Sequence, residues 1–191
     1  MSVMWTPERT RISAERFDKM IAAGVLTKYD RVELIEGDMI NEPGINPPHS
    51  AITARLNELL VLSVGRSVTV SPCGSVRLGD FSVPQPDLML LKRREDFYFG
   101  RRPAASDVLL LIEVSDSSFA YDQSTKRALY ARYGIEEYWV VDVQGERVFV
   151  YSEPAGEGYA RVVECTKADI VSPRAVPVVQ IQVGTLFPGG H

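Results

Sequence analysis

Two apolar runs that each carry one carboxylate constrain this chain more than any other feature. The first run, Leu88–Leu91, directly follows Asp87, and the second, which starts at Val108, contains Glu113 near its end. Both runs lack polar alternation and are rich in Leu, Ile and Val, which is typical of strands buried on both faces. An ionised carboxylate is costly inside such a sheet unless it is paired or holds a cation. The pattern therefore indicates a sheet with a charged site near its strand ends.

Composition predicts one compact domain that spans residues 1–191, with its core over about residues 49–143. The chain has 191 residues, of which 45% are hydrophobic, so it can bury a core without disulfides or structural metals. The net charge of −4 counts against a protein that coats DNA by charge alone, but it does not exclude an enzyme with a local basic groove. The densest positive stretch is either such a groove or a solvated loop. It comprises Lys92, Arg93, Arg94, Arg101 and Arg102.

The two cysteines, Cys73 and Cys165, are far apart and lack metal-ligand spacing. A zinc site or a disulfide framework is therefore not expected, and a reducing cytoplasm is the simpler prediction. The N-terminal residues lack the apolar run of a signal peptide, and no segment has the roughly 20 apolar residues of a membrane span. We expect a cytoplasmic protein without a membrane partner.

The order of the patterns predicts a mixed α/β fold, in which a central sheet is flanked by helices. Residues 49–143 read in turn as a helix, three strands, a helix and a strand. Before this core, we predict a helix capped by Ser13 and a hairpin that turns at Gly37. After it, we predict hairpins and a short strand in the apolar tail. These extra N-terminal elements and C-terminal hairpins decorate the core.

The chemistry of the two carboxylates suits a hard divalent cation. Mg²⁺ takes oxygen ligands in near-octahedral geometry and keeps several waters, so two carboxylates and one backbone carbonyl suffice to hold it. Asp87 and Glu113 are the candidate carboxylates, and the backbone carbonyl of Val114 is the candidate third ligand. Each acid also has a structural alternative: Asp87 as a turn residue before a strand, and Glu113 as the point where a strand reaches the surface.

Lys126 is the best lysine to complete such a site for hydrolysing phosphodiesters. On a helix, Asp122, Lys126, Tyr130 and Tyr133 follow at four- and three-residue steps and so share one face. An ammonium group there would orient a water and offset the charge that builds on a phosphate. The alternative is a surface ion pair between Asp122 and Lys126, beside tyrosines that only pack.

Two further polar residues have open interpretations. Glu33 lies between Val32 and Leu34 in a predicted strand and so points away from both, either into the metal pocket or to solvent. His49 lies at the start of a predicted helix, where an imidazole is either a proton carrier, a phosphate contact or a structural residue.

Taken in order, these segments resemble the Uma-type family of predicted restriction endonucleases, a branch of the PD-(D/E)XK nuclease superfamily. The resemblance covers about residues 12–152, and its segments are specific in this order although each is common alone. They are RVELIEGDMI, PPHSAITARLNELL, PQPDLMLL, LLLIEVSDSS and DQSTKRALYARYGIEEYWVVD.

The resemblance implies a restriction-endonuclease-like core and a metal-dependent endonuclease that hydrolyses DNA. It assigns Mg²⁺, with Mn²⁺ as a substitute, to Asp87 and Glu113. The lysine of the E-x-K element is absent, because position 115 is Ser115; Lys126 on the following helix takes its place, as is usual in this family. Glu33 and His49 also match family positions and are therefore included among the candidate catalytic residues. DNA is the implied partner, and analogy with the fold favours a homodimer.

Two other functions remain open at this stage. The low positive charge and the serine at position 115 also fit a catalytically inactive nucleic-acid-binding module on a nuclease scaffold. The late hairpins and the apolar tail, VPVVQIQVGTLF, also fit an oligomerising protein, because they offer sheet edges for another chain.

Overall fold

The computed structural model describes residues 9–27 and 29–188, and it divides the chain into two compact units. The first unit comprises Met1–Glu42 and Arg77–Pro84, and the second comprises Pro43–Val76 and Gln85–His191. The predicted single domain over residues 1–191 stays a prediction. Within the described part of the chain, no helix has both the length and the apolarity to cross a membrane.

The first unit consists of one helix and one hairpin around a small core. Helix α1 (Ala14–Ala22) begins as predicted after Ser13, whose side chain accepts a hydrogen bond from the Arg16 backbone N–H. Strands β1 (Val32–Ile35) and β2 (Asp38–Asn41) pair antiparallel and turn at the predicted glycine, Gly37, at a φ of +89°. The buried side chains of this unit are Ala14, Phe17, Leu34 and Val83.

The second unit is built on a six-stranded mixed sheet with the order β3-β4-β5-β6-β7-β8. Only β5 and β6 are parallel; all other neighbours are antiparallel. This arrangement confirms the predicted central sheet with flanking helices. The strands are β3 (Val68–Pro72), β4 (Leu88–Lys92), β5 (Val108–Ser115), β6 (Glu137–Asp142), β7 (Arg147–Ala155) and β8 (Gly158–Cys165).

Helix α2 (Pro47–Val64) packs on one face of this sheet, because its apolar residues recur at helical spacing. Ile52, Leu56 and Leu60 are buried there. They belong to one core with alternate residues of the strands, including Ile112 and Trp139. The helix begins two residues before His49 with Pro47, and its C-cap is Gly65. A proline in the first turn is expected, since that position needs no N–H donor.

The crossover that joins the parallel strands contacts β7 and β8. It consists of α3 (Phe119–Tyr121), a π-helical turn (Asp122–Lys126) and α4 (Arg127–Arg132). A parallel pair requires such a connection, because a tight turn can join only antiparallel strands. Its residues Leu129 and Tyr130 are buried, and Tyr130 lies edge-on against Tyr138 of β6.

The predicted role of the apolar tail as a sheet edge is wrong. Strand β10 (Ile181–Gln182) pairs with β9 (Ile170–Val171), and the apolar residues of the tail lie in the same core as α2. Their spacing therefore reflects burial within this chain and not an interface. The two edge strands of the large sheet are β3 and β8, and Val162 and Val163 are exposed on β8. The buried tail residues are Val176, Val179, Ile181, Val183, Leu186 and Phe187.

Candidate active site

The register of β4 against β5 brings the two predicted acids together. Leu88 pairs with Ile112 in this antiparallel ladder, so the preceding residue, Asp87, comes opposite Glu113. Alternation along the strands places Leu88 and Ile112 in the core beneath α2. Glu113 therefore belongs to the opposite face of the sheet, and Asp87 lies just before β4, at the end of the β4–β5 ladder.

Asp87 is held by one backbone group and one imidazole. Its Oδ2 accepts a hydrogen bond from the Val114 N–H at 2.8 Å, and its Oδ1 lies 3.1 Å from His49 Nε2. His49 is in the first turn of α2, where its own N–H donates to the N-cap side chain of Asn46 at 3.0 Å. Both side chains are about five-sixths buried. The structure thus brings His49, a residue predicted with open alternatives, to Asp87.

Glu113 is buried and faces the crossover. Its Oε1 accepts hydrogen bonds from Lys126 Nζ at 3.0 Å and from the Tyr130 hydroxyl at 2.8 Å. The Glu113 and Lys126 side chains are 5% and 8% exposed, which makes this a buried ion pair. Such a pair is rarely a device for stability, because desolvating two charges offsets most of their attraction. A buried pair beside a second acid is more often found at a functional site.

A π-helical turn delivers Lys126 to this position. The sequence predicted one regular helix over residues 122–134, whereas Asp122–Lys126 forms a π-helix between two short α-helical segments. Asp122, Lys126 and Tyr130 are all buried, so they share a face as predicted, while Tyr133 is half-exposed. Wide turns of this kind occur often at functional sites. A π-helical turn holds one residue more than an α-helical turn. Helical periodicity in the sequence could not reveal this residue, because the turn depends on packing against the sheet.

Asp122 is a further acid near Glu113. The sequence predicted only that it shares a helix face with Lys126. Its Oδ2 accepts hydrogen bonds from the Ser115 and Ser118 hydroxyls at 2.7 and 2.6 Å. Its Oδ1 lies 3.9 Å from Lys126 Nζ. Burial raises the pKa of Asp122 above its ordinary value, although Lys126 and the two serines act in the opposite direction. The sequence signal was the four-residue step between Asp122 and Lys126, which also fitted a surface pair.

The Val114 carbonyl has the orientation that a ligand would need. The next carbonyl along the strand, that of Ser115, accepts from the Val143 N–H on the β6 side. Successive carbonyls of a strand point to opposite edges, so the Val114 carbonyl points to the edge where Asp87 lies. Its role as a metal ligand stays a prediction.

The donor set suits a hard cation bound by few protein ligands. Among the described residues, no group of three or more His, Cys, Asp or Glu side chains is arranged to hold a metal ion. A site for Mg²⁺ needs only one or two carboxylates, since this ion keeps most of its waters. Asp87, Glu113 and Asp122 bring three carboxyl groups to this part of the sheet, and Lys126 and the His49 imidazole are the basic groups that contact them.

Glu33 lies in the first unit, on β1. It is 2% exposed and pairs with Ile40 of the hairpin, so the solvent-facing alternative is wrong. Its place among the catalytic residues stays a prediction.

The basic stretch forms a loop at the far end of β4 from Asp87. Arg94 pairs with Asp96, and Arg101 pairs with Asp107. Asp96 and Asp107 neutralise part of the positive charge. This favours the interpretation as a solvated loop over a basic groove beside Asp87 and Glu113. Cys73 and Cys165 are free thiols.

Comparison with known proteins gives one family and one fold. The family model described as "Uma2: Putative restriction endonuclease" matches residues 14–184. A solved structure from Anabaena variabilis ATCC 29413, titled a "putative nuclease belonging to DUF820", superposes with a TM-score of 0.71. It is 19% identical, and the match covers 92% of this chain and 97% of that one. At this identity the likeness shows the fold alone. No curated protein matches the chain.

Proposed function

Since the chain belongs to the Uma2 family, described as "Putative restriction endonuclease", we propose that it is a divalent-metal-dependent endonuclease that hydrolyses DNA phosphodiester bonds. The observation that carries this proposal is the buried pair of Glu113 and Lys126 beside Asp87. Two acids and one ammonium group at the end of adjacent strands are the parts that metal-assisted hydrolysis of a phosphodiester requires.

Each part has one role in the proposed reaction. Asp87, Glu113 and the Val114 carbonyl would hold Mg²⁺ or Mn²⁺. When bound, such a cation polarises the phosphoryl group and lowers the pKa of a coordinated water. Lys126 places a positive charge where negative charge develops on the phosphate. Tyr130 fixes the Glu113 carboxylate through its hydroxyl, at 2.8 Å.

His49 has two roles in this proposal. Its Nε2 contact with Asp87 Oδ1 fixes the orientation of that carboxylate, in the way that outer partners orient metal ligands. Its partial exposure also leaves it able to carry a proton to or from the solvent. Glu33 is retained as a further acid on the family resemblance.

DNA is the proposed substrate, and a homodimer is the proposed assembly. Cutting both strands of a duplex takes two active sites, which two copies supply; this step is analogy from the fold. The cytoplasm is the proposed location.

The test incubates the full chain with supercoiled plasmid in Mg²⁺, in Mn²⁺ and in a chelator. Nicked or linear product in the two metals, and none in the chelator, supports the proposal. Asp87→Asn and Glu113→Gln should abolish cleavage. Glu137→Gln is the matched control. Glu137 is also a buried glutamate of the sheet, but it lies at the start of β6, whereas Glu113 lies near the end of the neighbouring strand β5. Cleavage that persists in both site variants would refute the proposed site.

Ser115 supports one alternative, a binding module that has lost its chemistry. Calorimetry with Mn²⁺ separates the two functions: an inactive module takes up no cation that depends on Glu113, whereas the endonuclease does. The position of Lys126 against Glu113 favours the enzyme, because the helix supplies the ammonium group that position 115 lacks.

A further inference from the structure

One oxygen of Asp122 has an environment that the proposed reaction does not explain. Asp122 is 2% exposed, and its Oδ1 accepts no hydrogen bond from the residues that the structure describes. Leaving a buried acceptor unsatisfied is unfavourable, so each instance in a folded protein calls for an explanation. The other oxygen of the same carboxylate is doubly bonded, to Ser115 and Ser118. The carboxylate is therefore fixed in orientation with one oxygen left over.

That oxygen faces Lys126. The Oδ1–Nζ distance is 3.9 Å, close enough for attraction but too long for a hydrogen bond. Nζ instead donates to Glu113 Oε1 at 3.0 Å. One ammonium group thus lies between two buried carboxylates and is bonded to only one of them. A shift of about 1 Å would transfer it to the other, given ordinary N–H···O distances.

The proposed function gives a reason for that transfer. A divalent cation on the Glu113 carboxylate would repel the ammonium group that Oε1 now holds, because both are positive. A shift toward Oδ1 of Asp122 would lower this repulsion and keep the ammonium group beside a buried carboxylate.

We propose that Asp122 is a positioning residue that accepts Lys126 when Glu113 holds a cation. This inference rests on the proposed function. Asp122 keeps the ammonium group inside the site, next to the phosphate, and so allows Glu113 to be released. The two serines keep Oδ1 turned toward Nζ, and the π-helical turn sets the spacing between Asp122 and Lys126.

Mn²⁺ affinity of the full chain, measured by calorimetry without DNA, tests the inference apart from activity. Asp122→Asn should bind Mn²⁺ about tenfold more weakly than the parent, or by about 1.4 kcal/mol, because Lys126 then stays on Glu113. In a Lys126→Met background, the same change should weaken binding by no more than about twofold, since no ammonium group needs to move.

Asp142→Asn is the matched control. Asp142 is a buried aspartate of β6 that bonds the Gly145 N–H and Arg147. Its loss should lower the melting temperature without changing Mn²⁺ affinity. Should Asp122→Asn not fold, Ser118→Ala replaces it; this variant frees the carboxylate to rotate and should weaken Mn²⁺ binding in the same direction.

Three results would overturn the inference. Unchanged affinity in Asp122→Asn would show that the ammonium group needs no second partner. An equal loss in both backgrounds would make Asp122 a direct ligand. If the parent itself binds no Mn²⁺ and cuts no DNA, the proposed function fails. If the parent binds and cuts, but Asp122→Asn has the same effect with and without Lys126, only the role of Asp122 fails.

Discussion

Glu113 and Glu137 are both buried glutamates of the same sheet, yet their surroundings differ in kind. Glu137, at the start of β6, is 1% exposed, and each of its oxygens accepts one neutral N–H. The donors are Trp139 Nε1 and the Arg174 backbone N–H, both at 2.7 Å. Glu113, near the end of β5, instead shares one oxygen between an ammonium group and a hydroxyl, with two more carboxylates close by.

The difference separates a structural clamp at Glu137 from the site that we propose to be reactive at Glu113. Glu137 ties the tail to the sheet through Arg174, and each of its oxygens has a partner, so nothing more is needed there. Next to Glu113, Oδ1 of Asp122 accepts no hydrogen bond from the residues that the structure describes. Burial alone does not mark a catalytic acid; the informative sign is a buried polar group whose neighbours leave one of its atoms unsatisfied.

We expect the greatest loss of stability when the Lys126 ammonium group is removed. Lys126→Met should lower the free energy of unfolding by about 3–5 kcal/mol at neutral pH, because it removes the ammonium group that bonds the buried Glu113 carboxylate. Urea denaturation measures the loss. Lys167→Met is the control: that lysine is 45% exposed and pairs with Glu146, so its loss should stay below about 1 kcal/mol. Equal losses for both variants would contradict the buried pair.

The next effect compares two buried tyrosines. Tyr130→Phe removes a hydroxyl that bonds the charged Glu113, so we expect a loss of about 1.5–3 kcal/mol in unfolding free energy. Tyr159 provides the control, because its buried hydroxyl has no hydrogen-bond partner within the described part of the chain. Tyr159→Phe should therefore be neutral or slightly stabilising. Two equally destabilised variants would mean that ring packing, and not the bond to Glu113, governs Tyr130.

The clamp can be weakened without touching the site. Glu137→Gln keeps an acceptor for one donor but turns an amide N–H₂ toward the other, either Trp139 Nε1 or the Arg174 N–H, which should cost about 1–3 kcal/mol of unfolding free energy. Plasmid cleavage per folded molecule should not change. A large loss of cleavage at full folding would place Glu137 in the reaction and would remove the contrast between the two glutamates.

The smallest effect is a pH dependence. Burial raises the pKa of Glu137 above its ordinary 4.5, although its hydrogen bonds act against this. The folded chain therefore binds this proton more tightly than the unfolded chain does, and this contribution to stability falls as pH rises from about 4.5 through the raised pKa. The penalty of Glu137→Gln should shrink over the same interval in a series of urea titrations. A penalty that does not vary with pH would contradict the raised pKa.

The order of the elements and the core face of α2 were predictable, because helices and strands impose their own periods on the apolar residues. Asp87, Glu113 and Lys126 were identified for the same reason: each stands out from a local pattern. The π-helical turn and the burial of Glu33 were not predictable, since each depends on packing between residues far apart in the chain. The tail was misread because an apolar run looks the same whether it meets its own core or another chain.

The amino-acid order alone gives the apolar residues and their period, and with them the positions of two acids beside buried strands. The pairing of Leu88 with Ile112, which brings Asp87 opposite Glu113, comes instead from packing between distant parts of the chain. A shift of one residue in that register would send the two acids to opposite faces of the sheet, because side chains alternate along a strand. The strand propensities of the two segments are the same before and after such a shift. The packing of α2 and of the crossover against the sheet excludes it.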